Sequence, residues 1–216
     1  MENIVIVSDF DGTITRKDSL YNFFKEYANE KWLEIEKLWV DKKIGSKECL
    51  KKQFELVDNL NYQLIDKYIN TVELDIYFKE FNELRIKKNI DLIIVSDGID
   101  YFIYKILQKS NIKDIKVISN HLEFENEKVK LSFPNSNEFC INNSATCKCH
   151  AVSSLRNKYQ NIIYIGDGTS DFCISENLKQ NDILFAKGSL LKHCKDKHIN
   201  CIEYQNFKNI INYLNN

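Results

Sequence analysis

The 216-residue chain is short of the residues that break or loosen a backbone, with a single proline, Pro134, and only six glycines. One proline excludes a proline-rich linker or recognition segment, and so few glycines exclude collagen-like and glycine-rich flexible stretches. Net charge is nearly absent too, at −1 from 30 basic and 31 acidic residues. There is thus no basic footprint for nucleic acid and no dense Lys/Arg segment for an anionic membrane. No apolar run approaches the roughly 18 residues of a spanning helix, and no basic leader with a small-residue cleavage site precedes the first strand-like run. The expectation is a cytoplasmic protein with neither a nucleic-acid nor a membrane partner. Seven cysteines, an odd number, fit reduced thiols in a chain too large to need disulfide staples.

What is present is an ordinary globular mixture, 44% hydrophobic and 28% charged, enough for one good-sized domain or a core with a modest insertion. Three short runs rich in Ile and Val read as buried parallel strands, at residues 4–7, 91–95 and 161–165, with a weaker fourth at 182–186. Each is followed by a small or acidic cluster and then by helical periodicity. In "SDGIDYFIYKILQKSNI" the spacing predicts a helix over about 99–109, with Tyr101, Ile103, Tyr104 and Leu107 as its apolar stripe. Strands alternating with helices predict an open α/β sheet that binds ligands beyond the carboxyl ends of its strands.

Two segments break the alternation. Residues 16–72 read as helix after helix ("SLYNFFKEYAN", "KWLEIEKLWVDKK", "SKECLKKQFELVD", "YQLIDKYINTV"). A βαβ crossover needs one helix, so a helical subdomain inserted after the first strand is expected, with residues 75–88 supplying the helix that leads back. "KVISNHLEFENEKVKLSFPN" reads as a β-hairpin turning near Glu125 and Asn126.

Four of the six glycines directly follow predicted strands. Gly12 follows Asp9 and Asp11, Gly98 follows Ser96 and Asp97, and Gly166 and Gly168 bracket Asp167. Glycine allows close backbone approach, which suits loops whose N–H groups wrap an anion. In a parallel sheet these loops share one edge, which would gather Asp9, Asp11, Ser96, Asp97, Asp167 and Asp171. Two carboxylates 4 Å apart repel by about 4 kcal/mol at an effective dielectric near 20. Such a set therefore calls for a cation, and all-oxygen ligands suit Mg²⁺. A divalent cation beside an anion-cradling backbone is the equipment of phosphoryl transfer.

"DFDGT" at 9–13, the serine closing "LIIVS" at 96, Lys148 in "TCKCH" and "GDGTSD" at 166–171 together resemble the four ordered motifs of the haloacid dehalogenase (HAD) superfamily of phosphatases. The resemblance implies a Rossmann-like core over residues 1–15 and 73–216, with helices on both faces and a helical cap at 16–72. It implies that Asp9 is the nucleophile and forms an aspartyl-phosphate, and that Asp11 is the general acid and then the base. Asp9, Asp11 through its carbonyl, and Asp167 would hold Mg²⁺, with Asp171 in support of metal and lysine. Gly12, Thr13, Ser96, Asp97, Gly98 and Lys148 would hold the phosphate of a small phosphorylated metabolite. "SNHLEF" and "FAKGSLL" are similar to the phosphoserine-phosphatase-like branch. Asp18, nine residues past Asp9, and the Cys-rich approach to Lys148 resemble a narrower group, which holds the 2-hydroxy-3-keto-5-methylthiopentenyl-1-phosphate phosphatase of methionine salvage.

One departure bears on substrate. Phosphoserine phosphatases generally hold the substrate carboxylate with a cap arginine, and Arg16, Arg85 and Arg156 all lie outside the predicted cap helices. Phosphoserine is therefore lowered, and phosphocholine or pyridoxal phosphate stays open, as does transfer to an acceptor other than water. A non-catalytic phosphate-ligand binder on the same fold is the remote alternative. Asp18 reads equally as a helix N-cap and as a substrate contact. Among the cap aromatics, Tyr21, Phe24 and Trp39 are candidates to face the site. "CKCH" with Cys140 is too tightly spaced for a zinc site without a second facing pair, and Lys187 is the substitute should Lys148 not reach the site. Oligomeric state is not legible.

Overall fold

A computed structural model describes residues 3–126 and 128–216. Its frame is a sheet of seven strands among the described residues: β1 (Ile4–Ser8), β2 (Asp91–Ile99), β3 (Lys116–Glu125), β4 (Lys128–Ser132), β5 (Asn161–Gly166), β6 (Ile183–Ala186) and β7 (Ile202–Glu203). The strand order is β4-β3-β2-β1-β5-β6-β7. Every neighbouring pair is parallel except β3–β4, the expected hairpin.

The apolar runs are unbroken because both faces of the sheet are covered. Ile6, Leu92, Ile94, Ile163 and Ile165 point into one core, with α5 (Phe78–Lys87), α6 (Asp100–Lys109) and α10 (Phe207–Asn215). The alternate residues Val5, Val7, Ile93, Val95, Ile162 and Tyr164 point into the other, with α7 (Lys148–Leu155), α8 (Phe172–Ser175) and α9 (Gly188–Lys197). Register fixes where the site falls. Ser8, the last residue of β1, is level with Ile94 on β2 and Ile165 on β5. Asp9 and Asp167 therefore leave the sheet beside the stretch of β2 that carries Ser96.

Between β1 and α5 stand α1 (Ser19–Tyr27), α2 (Trp32–Val40), α3 (Ser46–Phe54) and α4 (Tyr62–Ile69). The sequence starts α1 and α4 with capping side chains: Asp18 accepts from Tyr21 N–H, and Asn61 from Leu64 N–H. These helices do not have a core of their own. Phe23 of α1 meets Phe102 of α6 edge-on at 5.2 Å and Tyr68 of α4 at 5.3 Å. At the same, C-terminal end of α4, Lys109 of α6 donates to the carbonyls of Ile69, Asn70 and Val72 at 3.1, 2.9 and 2.7 Å. A cation at a helix C-terminus satisfies orphan carbonyls and opposes the dipole. Only α2 is loosely held, with Trp32 its one buried residue.

Three sequence expectations change. β2 does not stop at 95: its ladder with β3 lapses after Val95 and closes again at Ile99, so residues 96–98 form an irregularity inside the strand. The buried stripe of α6 is Phe102, Ile103, Ile106 and Leu107. Tyr104 is exposed, and the hydroxyl of Tyr101 reaches Asp66 at 2.8 Å, because a phenol keeps its polar end where it finds a partner. The two-residue β7 and α10 had no counterpart in the expectation. Among the described residues, no helix is long and apolar enough to cross a membrane.

Candidate active site

Asp9 follows β1 directly, and its N–H still donates to Ile165 O at 2.9 Å, which extends the ladder with β5 by one bond. Its Oδ1 accepts the N–H of Phe10 at 2.7 Å, and its Oδ2 lies 2.8 Å from Lys148 Nζ. The chain then reverses around the fully buried Phe10, whose carbonyl accepts from the N–H groups of Thr13, Ile14 and Thr15. Gly12 makes the reversal possible. Its φ is +73°, and a Cβ there would stand 2.5 Å from Asp167 Oδ2.

Asp11 turns towards the helical block. Its Oδ1 accepts the N–H of Ser19 at 3.0 Å and, in a short bond, the Ser19 hydroxyl. The irregularity in β2 serves this carboxylate: a Cβ on Gly98 would meet Asp11 Oδ2 at 2.6 Å. Ser96 Oγ accepts from Gly98 N–H at 2.9 Å. Asp167 leaves β5 and takes the Thr13 hydroxyl on Oδ1 at 2.5 Å.

Lys148 is 4% exposed. It opens α7 and reaches Asp9, Asp171 Oδ1 (2.7 Å) and Ser170 Oγ (2.9 Å). Lys148 reaches the site, so no substitute is called for; Lys187 Nζ lies 3.5 Å from Thr13 O and over the Tyr204 ring. Asp171 is fully engaged. Its Oδ1 also accepts the Tyr164 hydroxyl at 2.6 Å, and its Oδ2 accepts the N–H groups of Asp167 and Gly168, both at 3.1 Å.

A cavity of about 280 Å³ opens over these groups, lined by Asp9, Asp11, Ser96, Asp97, Gly98 and Asp167 below. Above it are Asp18, Tyr21, Phe24, Glu36, Trp39 and Gln53, so all three candidate aromatics reach it. No Lys, Arg or His is among its lining residues. Arg16, Arg85 and Arg156 are engaged elsewhere, with Glu73, Asn82 and Asp182. Two of the residues expected at the phosphate, Gly12 and Thr13, do not line the cavity and use their N–H groups in the turn, bonding Thr15 Oγ1 and Phe10 O, and Asp97 stays in the cavity lining. The Asp97 carboxylate turns to the segment before α7, accepting Thr146 N–H at 2.6 Å and the Ser46 hydroxyl. Ser46 Oγ accepts Ala145 N–H at 2.8 Å in turn, so α3 is joined to the lysine-bearing segment.

Asp9, Asp167 and Asp171 offer carboxylate oxygens within 4.8 Å of one another. With Asp171 spent on four donors, Asp9 and Asp167 remain, beside the carbonyl of Asp11. Burial raises the Asp9 carboxyl well above its usual value; Lys148 opposes this, and the charges of Asp171 and Asp167 add to it. One lysine does not offset two buried carboxylates and a half-buried third, and the donor set fits a hard divalent cation. Asp11 is pushed from 3.8 up to about 7, first by burial and next by the charge of Asp18, against the bonds from Ser19. Asp167 is pushed up to about 6 by burial and by Asp171.

The family model described as "Putative Phosphatase" matches residues 4–207. The chain belongs to this phosphatase family, within the HAD superfamily. It is a phosphoric monoester hydrolase. A Bacillus cereus protein named 2-hydroxy-3-keto-5-methylthiopentenyl-1-phosphate phosphatase is 29% identical over 98% of this chain and 96% of its own. A phosphoserine phosphohydrolase-like protein from Francisella tularensis superposes with a TM-score of 0.71 at 19% identity, covering 99% of both chains. A substrate-bound phosphoserine phosphatase superposes at 0.70 and 18% identity, covering 99% of this chain and 98% of its own. At that identity the two structures speak for the fold.

The raised carboxyls of this phosphatase make its stability depend on pH. Unfolded, these groups titrate near 4; folded, Asp11 and Asp167 hold their protons to about 7 and 6. Between those values the folded state binds more protons, so the stability that these two groups contribute is fully present at low pH and is lost as pH rises through 6–7. In EDTA, the melting temperature is expected to fall between pH 5 and pH 8, by an amount on the order of a few kcal/mol of stability. Differential scanning fluorimetry reads this directly; a melting temperature that climbs over that window would contradict it.

Several residues of the site escaped the sequence. Ser170 lies inside "GDGTSD" and was within reach of the motif. Ser19, Ser46, Tyr164 and the pair Glu36–Gln53 carry no spacing signal, because each is brought in by tertiary packing.

Proposed function

We propose that the protein is a Mg²⁺-dependent phosphatase that works through an aspartyl-phosphate on Asp9, with residues 16–72 as a cap over the site. The observation that carries this is the division of labour between two carboxylates on one turn. Asp9 is held against Lys148 at 2.8 Å, while Asp11 is turned away onto Ser19 with its carboxyl at about 7.

In the first half, an Asp9 oxygen bonds to phosphorus as the bond to the leaving oxygen breaks, and Asp11 gives that oxygen its proton. In the second half, Asp11 takes a proton from water, whose oxygen displaces Asp9 from phosphorus and frees phosphate. Lys148 neutralises Asp9 and the incoming phosphoryl oxygens, and Asp171 and Tyr164 fix its position. Ser96 and Gly98, which line the same cavity as Asp9, would hold the phosphate. When bound by Asp9, Asp167 and the Asp11 carbonyl, Mg²⁺ would supply charge stabilisation for the transferring phosphoryl group. Where the chain enters and leaves the cap, Thr15 and Leu74 pair as an antiparallel bridge.

The relatives' name and the apolar wall of Leu20, Phe24 and Leu50 support an uncharged leaving group such as the methionine-salvage enolphosphate. The absence of any cationic residue from the cavity lining argues against phosphoserine. Asp18 and Glu36 in that lining favour a second reading, a phosphorylated amine such as phosphocholine. With a generic aryl phosphate, Mg²⁺ is expected to support turnover and release one free phosphate per alcohol. EDTA is expected to cut the rate ~100-fold or more, and added Mg²⁺ to restore it. Turnover untouched by EDTA would contradict the metal assignment, and alcohol release in excess of free phosphate would indicate transfer to another acceptor.

A further inference from the structure

We infer that Glu36, held by Gln53, is the residue through which the cavity reads the leaving group, and that it selects one ending in a hydrogen-bond donor over one ending in a carboxylate. This rests on the phosphatase reading above and names the substrate chemistry of the same site.

The cavity has two unlike ends. The floor carries Asp9, Asp11 and Ser96, and the roof carries Glu36 and Gln53 on α2 and α3. Gln53 is 3% exposed and spends its amide on Glu36, Nε2 donating to Oε2 at 2.9 Å. That bond holds the carboxylate in the cavity lining and leaves its second oxygen with no protein donor among the described residues. An ionised carboxylate only accepts, so a donor arriving with the substrate completes it. A carboxylate arriving there would meet Glu36 and Asp18 with like charge and no cation in the lining to offset it. Asp18 is the lesser partner, being exposed and already capping α1 through Tyr21 N–H at 2.8 Å. Trp39, on the same helix as Glu36, adds an aromatic wall that would also tolerate an ammonium.

The donor can be a hydroxyl or an ammonium, and four small esters separate the cases: glycerol 3-phosphate, phosphoethanolamine, phosphoglycolate and propyl phosphate. For the unaltered protein, kcat/KM for the better of the two donor-ended esters is expected to exceed that for phosphoglycolate by ~30-fold or more. Glu36→Gln should shrink that ratio by ~10-fold. A loss concentrated on phosphoethanolamine assigns an amine, and a loss concentrated on glycerol 3-phosphate assigns an alcohol; either supports the inference. Gln53→Met should shrink the ratio in the same direction and add nothing further in the Glu36→Gln background, as expected of a positioning residue. A ratio unmoved by Glu36→Gln, with all four esters still hydrolysed, would overturn the inference and leave the phosphatase reading standing. No hydrolysis of any ester by the unaltered protein would overturn both.

Discussion

Lys148→Met is expected to cost the protein much of its stability as well as its turnover. Lys148 sits 2.8 Å from Asp9 and 2.7 Å from Asp171, almost wholly out of water. Those carboxylates raise its own pKa against the lowering effect of burial. Removing one member of a buried ionic cluster strands the others, at a cost of about 3–5 kcal/mol, a large share of the roughly 5–15 kcal/mol that holds a domain folded. Turnover should fall by about 10³-fold or more, because the charge facing the phosphoryl oxygens is gone. Two readouts separate these effects. Adding Asp171→Asn to Lys148→Met removes one stranded charge, so the urea midpoint should recover in part while turnover stays low. Recovery of turnover alongside stability would contradict a direct role for the lysine at the phosphate.

Asp9→Asn should do the reverse, abolishing turnover and sparing the fold. An amide has no carboxylate oxygen to bond phosphorus, so the loss is expected to reach roughly 10⁴-fold or more, as for other nucleophile removals. The fold persists because two effects oppose each other. A buried charge disappears, yet one former acceptor becomes an NH₂ group facing either Lys148 or the Phe10 N–H. Each is worth about 1–3 kcal/mol, so the melting temperature should move by only a few degrees. Circular dichroism and the aryl-phosphate assay on the same preparation check both halves. Residual turnover near the level of the unaltered protein would rule out Asp9 as the nucleophile.

Much of the frame was legible in the sequence, for a physical reason. Strands buried on both faces must be apolar throughout, so residues 4–7, 91–95 and 161–165 stood out, and parallel register then aligned the residues that follow them. Asp9, Ser96 and Asp167 needed no tertiary information to be placed on one edge. Two-residue β7 was invisible because so short a strand has no pattern, and the stripe of α6 was misread because tyrosine counts as apolar in periodicity yet keeps its hydroxyl near water or a partner. Gly12 and Thr13 were assigned to the phosphate from motif position alone, whereas their N–H groups close the turn around Phe10. The leaving-group end of the cavity was the least legible part. Glu36 and Gln53 come from helices whose mutual rotation depends on packing around Trp32, Leu50 and Phe54, and no spacing in the sequence encodes which side faces in.

The proposed reaction turns on a covalent bond between Asp9 and phosphorus. Protein quenched during steady turnover and treated at once with borohydride should carry homoserine at position 9, since an acyl phosphate is reduced where a free carboxylate is not. Mass spectrometry of the peptide that contains "SDFDGTIT" reads this directly. Homoserine at Asp9, absent without substrate and absent in Asp9→Asn, is the predicted result. Homoserine at Asp11, or an unreduced peptide from protein that is releasing phosphate while the same borohydride reduces an added acyl phosphate, would contradict it.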